Sequence, residues 1–467
     1  MAFTRFKKIY NNTYAYEVWK VKDENGKWQQ KSKYLGVVTD LENKTYEKKR
    51  NPAQKQERQV LEYGDSYLIN ELTENLPIIA LLKAVFGELF DTLMALVYHR
   101  IIVGGAMCHV QPWYEASFVS QLFQGANISS QNISRVFTYL GEENVQRAFF
   151  AAYIPLVCKD KSGVVIDSTG LPNQINMPVT DWGYHNGGIE YETRLILAID
   201  RQSERPLYFR YVAGSIGDVS TLSNTIEEMK QNGISTSSAL IDAGYYSETN
   251  LKMLLKAEIT FLIRMPSNRV VYKNIIAEND DIENTKYAVK YDKRGLFVKE
   301  KEVDIYGYKA FAYLVLDPER RGREISKIVS NMPDNKTDEV DFSNCGKMVL
   351  LSSEKLNTDD VVPLYYTRQI AERMFGIAKD DLDILPLRTH SEPNFKGFML
   401  LVFISLIIAC EIKTKLGKNI SIEKAVATLR TLRCKIFVDD IIPNEATKKQ
   451  RLIFEAANVL VPKLCGV

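Results

Sequence analysis

Two short apolar runs, each closed by an aspartate, constrain this chain more than any other feature in it. Val164-Val165-Ile166-Asp167 and Ala239-Leu240-Ile241-Asp242 place their acids 75 residues apart. A short aliphatic run bounded by turn residues is the pattern of a buried strand. Around the two runs, strand and helix signals alternate. GVVIDST, ETRLILAIDRQ and PLYFRYVAG read as three strands, with Arg201–Arg205 as the turn between the last two. Asp218 to Gln231 reads as a helix, SALIDAG as a strand, ETNLKMLLKA as a helix and ITFLIRM as a strand. That order predicts a mixed α/β sheet with helices on its faces. Ligands and metals collect at the carboxyl ends of such strands, where both aspartates fall.

A third acid comes from Val361 to Lys379, VVPLYYTRQIAERMFGIAK, which predicts one helix with Pro363 in its first turn. Tyr365, Arg368, Glu372 and Lys379 sit at offsets 0, 3, 7 and 14. At roughly 100° per residue they share a stripe about 60° wide, and Ile370, Met374 and Ile377 take the opposite side. A mixed-charge stripe alone is an ordinary solvated face. Two strand-end aspartates and a helix glutamate together make a hard, all-oxygen site suited to Mg²⁺ or Mn²⁺.

The remaining chain frames this region. Residues 13–38 predict a hairpin turning at Asn25-Gly26. Residues 46–59 are polar and broken by Pro52. Residues 66–150 look helical, with a stop at Gly104-Gly105, a loop at Gln111–Trp113 and a fresh start at Ser129–Asn132. Pro266 to about Lys347 reads as a small β-rich insertion, polar over 317–341, before MVLLS resumes the main pattern. An apolar helix over 396–415 and a last helical region from Ile422 to about Arg433 follow.

Composition excludes several classes. The net charge of +2 does not argue for nucleic acid, but residues 1–60 hold 14 Lys and Arg against 7 Asp and Glu. That local excess suits either a phosphate-tracking region or a solvated lysine-rich surface. The six cysteines form no C-x-x-C pair, which excludes a zinc signature and a disulfide framework and points to a reducing cytoplasm. The N-terminus lacks the apolar core of a signal peptide. The most apolar run, Phe398 to Cys410, is 13 residues, short for a bilayer and suited to a buried helix.

These residues resemble the DDE transposases of bacterial insertion sequences. The resemblance rests on DSTG at 167–170, DAGYYSETNL at 242–251 and the pattern Y-x2-R-x3-E-x6-K at Tyr365, Arg368, Glu372 and Lys379. That pattern marks a subgroup whose members carry a β-rich insertion between the second aspartate and the glutamate, and the 130 residues between Asp242 and Glu372 leave room for one. The segment YVAGSIGDVSTL (211–222) is similar to the family's P-G-N-x-x-D link, with Ala213 and Ser215 in place of Pro and Asn.

The resemblance implies a ribonuclease-H-like catalytic core at 156–265 and 348–415, interrupted by the β-rich insertion at 266–347. It implies an N-terminal hairpin and basic segment (1–60), a helical DNA-binding region (61–155) and C-terminal helices (416–467). Asp167, Asp242 and Glu372 would hold two divalent ions, Mg²⁺ with Mn²⁺ as a substitute, and catalyse DNA strand cleavage and strand transfer. Tyr365, Arg368 and Lys379 would bind DNA. The implied partners are the terminal inverted repeats and target DNA, held by a homodimer in the bacterial cytoplasm near the nucleoid, with no membrane. A nuclease that cuts without joining, and a domesticated DNA-binding protein, fit the same motifs. Asp200 and Asp218 read as turn and helix-cap residues, Asp380, Asp381 and Asp383 as a solvated helix end, and the four histidines as structural. Trp182 reads as a packing residue in a loop, with base stacking as the alternative.

Overall fold

The computed structural model describes residues 2–9, 12–22, 27–40, 44–47, 57–158, 162–185, 188–279, 281–332, 341–417, 419–437 and 440–462. The chain divides into two compact units: Met1–Leu61 with Cys434–Asn444 and Leu464–Val467, and Glu62–Arg433 with Glu445–Lys463.

In the first unit, β1 (Phe3–Ile9), β2 (Asn12–Lys22), β3 (Trp28–Asp40) and β4 (Thr45–Glu47) form an antiparallel sheet in that order. The predicted hairpin is β2 and β3, paired from Lys22–Trp28 to Tyr14–Val37. Its predicted turn at Asn25-Gly26 lies outside the described residues. Tyr14, Tyr16 and Tyr34 meet across this pair, with ring centroids 5.6 to 6.2 Å apart. A fifth strand, β5 (Glu57–Glu62), belongs to a separate three-stranded sheet.

The second unit opens with helices: α1 (Gly64–Thr73), α2 (Pro77–Phe86), α3 (Phe90–Ile102), α4 (Val110–Ala116), α5 (Val119–Leu122), α6 (Ser130–Leu140) and α7 (Glu143–Val157). Gly104 and Gly105 take φ of 69° and 75°, which few other residues adopt, and they close the α3 segment. Gln111–Trp113 is part of α4, not a loop, because Val110 is buried and anchors that turn.

A ten-stranded sheet follows, built from β6 (Ser162–Pro172), β7 (Asp181–His185), β8 (Gly188–Asp200), β9 (Pro206–Ala213), α8 (Asp218–Gln231), β10 (Thr236–Ile241), α9 (Glu248–Lys256) and β11 (Thr260–Arg264). Then come α10 (Val270–Ala277), β12 (Ala288–Tyr291), β13 (Arg294–Ile305), β14 (Tyr308–Leu316), α11 (Pro318–Ser330) and β15 (Lys347–Ser352). The strand order is β12-β13-β14-β15-β11-β10-β6-β8-β7, with β9 also on β8. Strands β6, β10 and β11 run parallel, and β8 and β9 are antiparallel additions. The expected β-rich insertion therefore differs in two ways. It carries two helices, α10 and α11, and its strands extend the main sheet through the β14–β15 pairing, where Tyr313 faces Leu350.

The chain continues through α12 (Thr358–Tyr366), α13 (Gln369–Gly376), α14 (Glu392–Leu416), α15 (Ile422–Leu429), β16 (Arg433–Phe437), β17 (Ile441–Pro443) and α16 (Lys448–Ala456). The C-terminal region is thus not purely helical: β17 and β16 pair beside β5 in the first unit. Alternation in Cys434, buried, and Ile436, buried, between exposed Arg433 and Lys435 is strand periodicity. The helices from α1 on and the ten-stranded sheet fall in one compact unit around a shared core.

That core is threaded by α14. It is 25 residues long and apolar enough to cross a membrane by length and composition, and 83% of its apolar window is buried inside the protein. Its closest crossing is with α6, where a Cβ on Gly397 would stand 1.9 Å from the Phe137 carbonyl oxygen, and one on Gly141 2.3 Å from that of Pro393. Both obstacles are backbone, so neither can swing away. Alanine in a helix interior gains at most about 1 kcal/mol over glycine. The clash exceeds that gain, and Gly397→Ala is expected to lose about 3 kcal/mol, read as a lower denaturation midpoint at unchanged slope.

Candidate active site

Parallel pairing brings the two aspartates side by side. The last matched pair of β6 and β10 is Ile166 with Ile241, and the next residue on each chain is Asp167 and Asp242. Asp242 does end its strand. Asp167 does not: β6 continues to Pro172 because β8 keeps pairing with it, Asp167 facing Leu197.

The third acid sits on a helix that is broken where the sequence predicts continuity. Asn357 caps α12, its side chain accepting from the Asp359 amide. The helix starts three residues earlier than expected, so Pro363 is interior rather than in the first turn. A proline there removes one backbone donor, and the Thr367 hydroxyl donates to the Leu364 carbonyl at 2.6 Å. The regular helix stops at Tyr366 and resumes at Gln369, and Ile377–Asp381 form a π-helical turn. Ile370, Met374 and Ile377 are buried as expected.

The break leaves the polar stripe on one side. Arg368 Nη1 donates to Asp167 Oδ2 at 3.1 Å and lies 3.3 Å from Asp242 Oδ2; Nη2 donates to Glu372 Oε1 at 3.2 Å. The Tyr365 hydroxyl donates to Asp242 Oδ1 at 3.3 Å. Five of the six residues singled out by sequence therefore converge. Lys379 stands beside them, its Nζ donating to Thr169 Oγ1 at 2.7 Å rather than to a carboxylate.

The electrostatics follow from burial around a single guanidinium. Burial pushes the Asp167 carboxyl up to about 7; Arg368 pulls it down, and Asp242 and Asp218 push it up. Burial alone would lower Arg368, but the Asp242 and Asp167 carboxylates more than offset it and raise it. Burial and Asp242 raise the Tyr365 hydroxyl to about 12, which keeps it a donor. Burial lowers Lys379, partly offset by Glu192.

Among the described residues no three His, Cys, Asp or Glu side chains are close enough to hold a metal as they stand. The donor set nonetheless fits a divalent ion: three carboxylates converge on one cationic group, and that group is Arg368. Burial holds the Asp167 carboxyl near 7, so Mn²⁺ affinity is expected to fall about fivefold from pH 7 to pH 6, measured by calorimetry on the DNA-free protein. A flat profile would show that no ligating carboxyl titrates in this range. The sign for folding is opposite in sense. Between about pH 4 and 7 the folded chain keeps a proton the unfolded chain has lost, so this group's contribution to stability declines as pH rises.

Other expectations change. Asp218 is not a simple cap: it is the first residue of α8, and its Oδ1 accepts from Ser168 Oγ at 2.5 Å and Arg194 Nη1 at 3.0 Å. Asp383 is 39% exposed, in keeping with a solvated position, but its Oδ2 also accepts from the Gly105 amide at 2.7 Å and pairs with Arg388. Asp200 is a turn residue, accepting from the Ser203 amide. Trp182 lies on β7 rather than in a loop, 63% exposed, with Tyr184 and Ile189 on the same face.

The model of the transposase DDE domain matches residues 159–408, more than half of the chain, and takes in both aspartates and Glu372. The chain belongs to the transposase DDE domain family. This DDE-type transposase is similar to piggyBac transposase, solved by cryo-EM as a synaptic complex with hairpin DNA, at 12% identity and a TM-score of 0.41 over 79% of each chain. No curated protein sequence matches the transposase.

Proposed function

We propose that this transposase binds the terminal inverted repeats of an insertion sequence, cleaves its strands and joins the freed ends to target DNA. The observation that carries the reading is the convergence of Asp167, Asp242 and Glu372 on one cationic centre. The order β9-β8-β6-β10-β11, antiparallel then parallel, supports a ribonuclease-H-like core. Asp167, Asp242 and Glu372 would hold two divalent ions, Mg²⁺ or Mn²⁺. When bound, these supply positive charge at the scissile phosphate and favour the ionised attacking oxygen.

The chain's own residues do the rest. Arg368 presents a forked donor beside the acids, suited to a phosphate's paired oxygens. Lys379 offers a point charge near Thr169, and Tyr365 a hydroxyl that stays protonated. No side-chain nucleophile is required, since water and then a DNA 3′-hydroxyl attack. Joining two ends calls for two sites, hence a homodimer, acting at the nucleoid of a bacterial cytoplasm.

The test is incubation of the purified chain and Mg²⁺ with a plasmid carrying the gene's own flanking DNA and a second, target plasmid. Cleavage at the element boundaries with 3′-hydroxyl ends, followed by joining to the target, is expected. Cleavage without joining identifies a nuclease, and end binding with neither step identifies a DNA-binding protein.

A further inference from the structure

Behind Asp167 the sheet carries a second set of charges that the proposed chemistry does not use. Side chains alternate along β6. Asp167 and Thr169 meet Arg368 and Lys379 on one side. Ser168 and Gly170 belong to the other side, where the β8 register sets Gly170 opposite Arg194 and Pro172 opposite Glu192.

There a chain of ionic contacts runs from the interior to Ser168. Glu192 is fully buried; its Oε1 accepts from Arg194 Nη2 at 3.3 Å, and its Oε2 has no partner among the described residues. Arg194 Nη1 donates to Asp218 Oδ1 at 3.0 Å, and Ser168 Oγ donates to that same oxygen at 2.5 Å. The amide of Ser168 donates to Asp167 Oδ1 at 2.9 Å.

Two features separate this chain from incidental pairing. Glycines carve the space for Glu192: a Cβ on Gly170 would stand 1.8 Å from Oε2, and one on Gly183 2.4 Å from Oε1. A buried ionic group with an unpaired oxygen costs stability compared with an apolar filling. Asp218 also touches the second acid's segment, its Oδ2 lying 2.9 Å from where a Cβ on Gly244 would be, two residues past Asp242.

We propose that Asp218, backed by Arg194 and the buried Glu192, is a positioning residue: by holding Ser168 it fixes the Asp167 carboxylate in the direction of the cation site. The inference rests on the metal-site reading of Asp167. Asp218 acts from the far side of the strand and touches no substrate.

The test uses the full chain and two readouts, Mn²⁺ affinity without DNA by calorimetry and the Mn²⁺ concentration giving half-maximal cleavage. Ser168→Ala and Asp218→Ala are each expected to weaken Mn²⁺ binding about tenfold and to raise the half-maximal concentration by a similar factor. Because both remove one contact, the double variant should be about tenfold weaker, not a hundredfold. Asp218→Asn keeps an acceptor and Ser168→Thr keeps the hydroxyl, so both should stay within about threefold of wild type. A purely structural role predicts a lower melting temperature with unchanged Mn²⁺ binding, or losses that multiply, and either result overturns the proposal. Should Asp218→Ala not fold, Ser168→Ala against Ser168→Thr decides alone. A wild-type chain that binds no Mn²⁺ overturns the metal-site reading together with this one. A wild type that binds it while Ser168→Ala binds equally well overturns only this one.

Discussion

Asp167→Asn, Asp242→Asn and Glu372→Gln are each expected to lower DNA cleavage by about a thousandfold or more, and to leave affinity for end DNA within about twofold. Each change swaps one carboxylate oxygen for an amide nitrogen of similar shape. Packing is therefore preserved while the negative charge and one hard donor are lost. A thousandfold corresponds to about 4 kcal/mol of barrier, at 1.36 kcal/mol per decade. Loss of a hydrogen bond typically accounts for about 0.5–1.5 kcal/mol, so an effect of this size requires loss of a charge from the reacting centre. The three positions differ in surroundings: the Asp167 side chain is 13% exposed, Asp242 36% and Glu372 59%. A stability effect would therefore follow burial and fall mainly on Asp167→Asn. A catalytic effect would be equal across the three. Cleavage gels and DNA-binding isotherms on the same preparations separate the two, and full metal-dependent cleavage by any one variant would remove that residue from the site.

The sheet and the site were legible in the sequence to different depths. Apolar runs and their aspartates gave β6 and β10, since buried parallel strands leave a continuous aliphatic signature. Helix α8 lies over Asp218–Gln231, the span its periodicity predicts. The helix carrying Glu372 was legible as a face and not as a rod. Angular spacing identifies which residues share a side, but not the break at Thr367 and Arg368, where the Thr367 hydroxyl bonds back to the Leu364 carbonyl. The two-helix insertion was hidden for another reason. PERRGREISKIVS has no buried residue, so α11 offers no apolar stripe wide enough to announce a core-facing helix. Likewise β16 and β17 are short, and their partner β5 is nearly four hundred residues away, a pairing no local pattern encodes. In the sequence Asp218 is indistinguishable from an ordinary cap, because an acid at a helix start is common. Its link to Ser168 exists only once α8 packs behind β6. The one available signal was the similarity of 211–222 to the P-G-N-x-x-D link, which includes Asp218.

Replacing Arg368 with glutamine is expected to tighten Mn²⁺ binding to the DNA-free transposase by about tenfold, even as it lowers cleavage. The reason is that Arg368 stands where an added cation would be most favoured. Its guanidinium lies 3.1, 3.3 and 3.2 Å from Asp167, Asp242 and Glu372. A unit charge about 4 Å from an opposite one is worth about 4 kcal/mol at an effective dielectric of 20. Exposure of Glu372 and water at the site reduce that figure, so about 1.4 kcal/mol, or tenfold, is a discounted value. With glutamine, the Asp167 carboxyl loses the guanidinium that holds it down and rises further, so the comparison is made well above neutral pH, where three ionised carboxylates face one another without a counter-charge and a divalent ion relieves that repulsion. The metal-free variant should therefore melt lower than wild type and recover more stability on adding Mn²⁺, as mass action requires of tighter binding to the folded state. Arg368→Lys distinguishes charge from shape. An ammonium is a point charge rather than a fork, so it should keep Mn²⁺ affinity near wild type while losing the paired contacts a phosphate needs. Were Arg368 solely a DNA contact, Arg368→Gln would weaken DNA binding and leave Mn²⁺ affinity where it was. An increase in Mn²⁺ affinity instead makes Arg368 a counter-charge that competes with a divalent cation for the same three carboxylates.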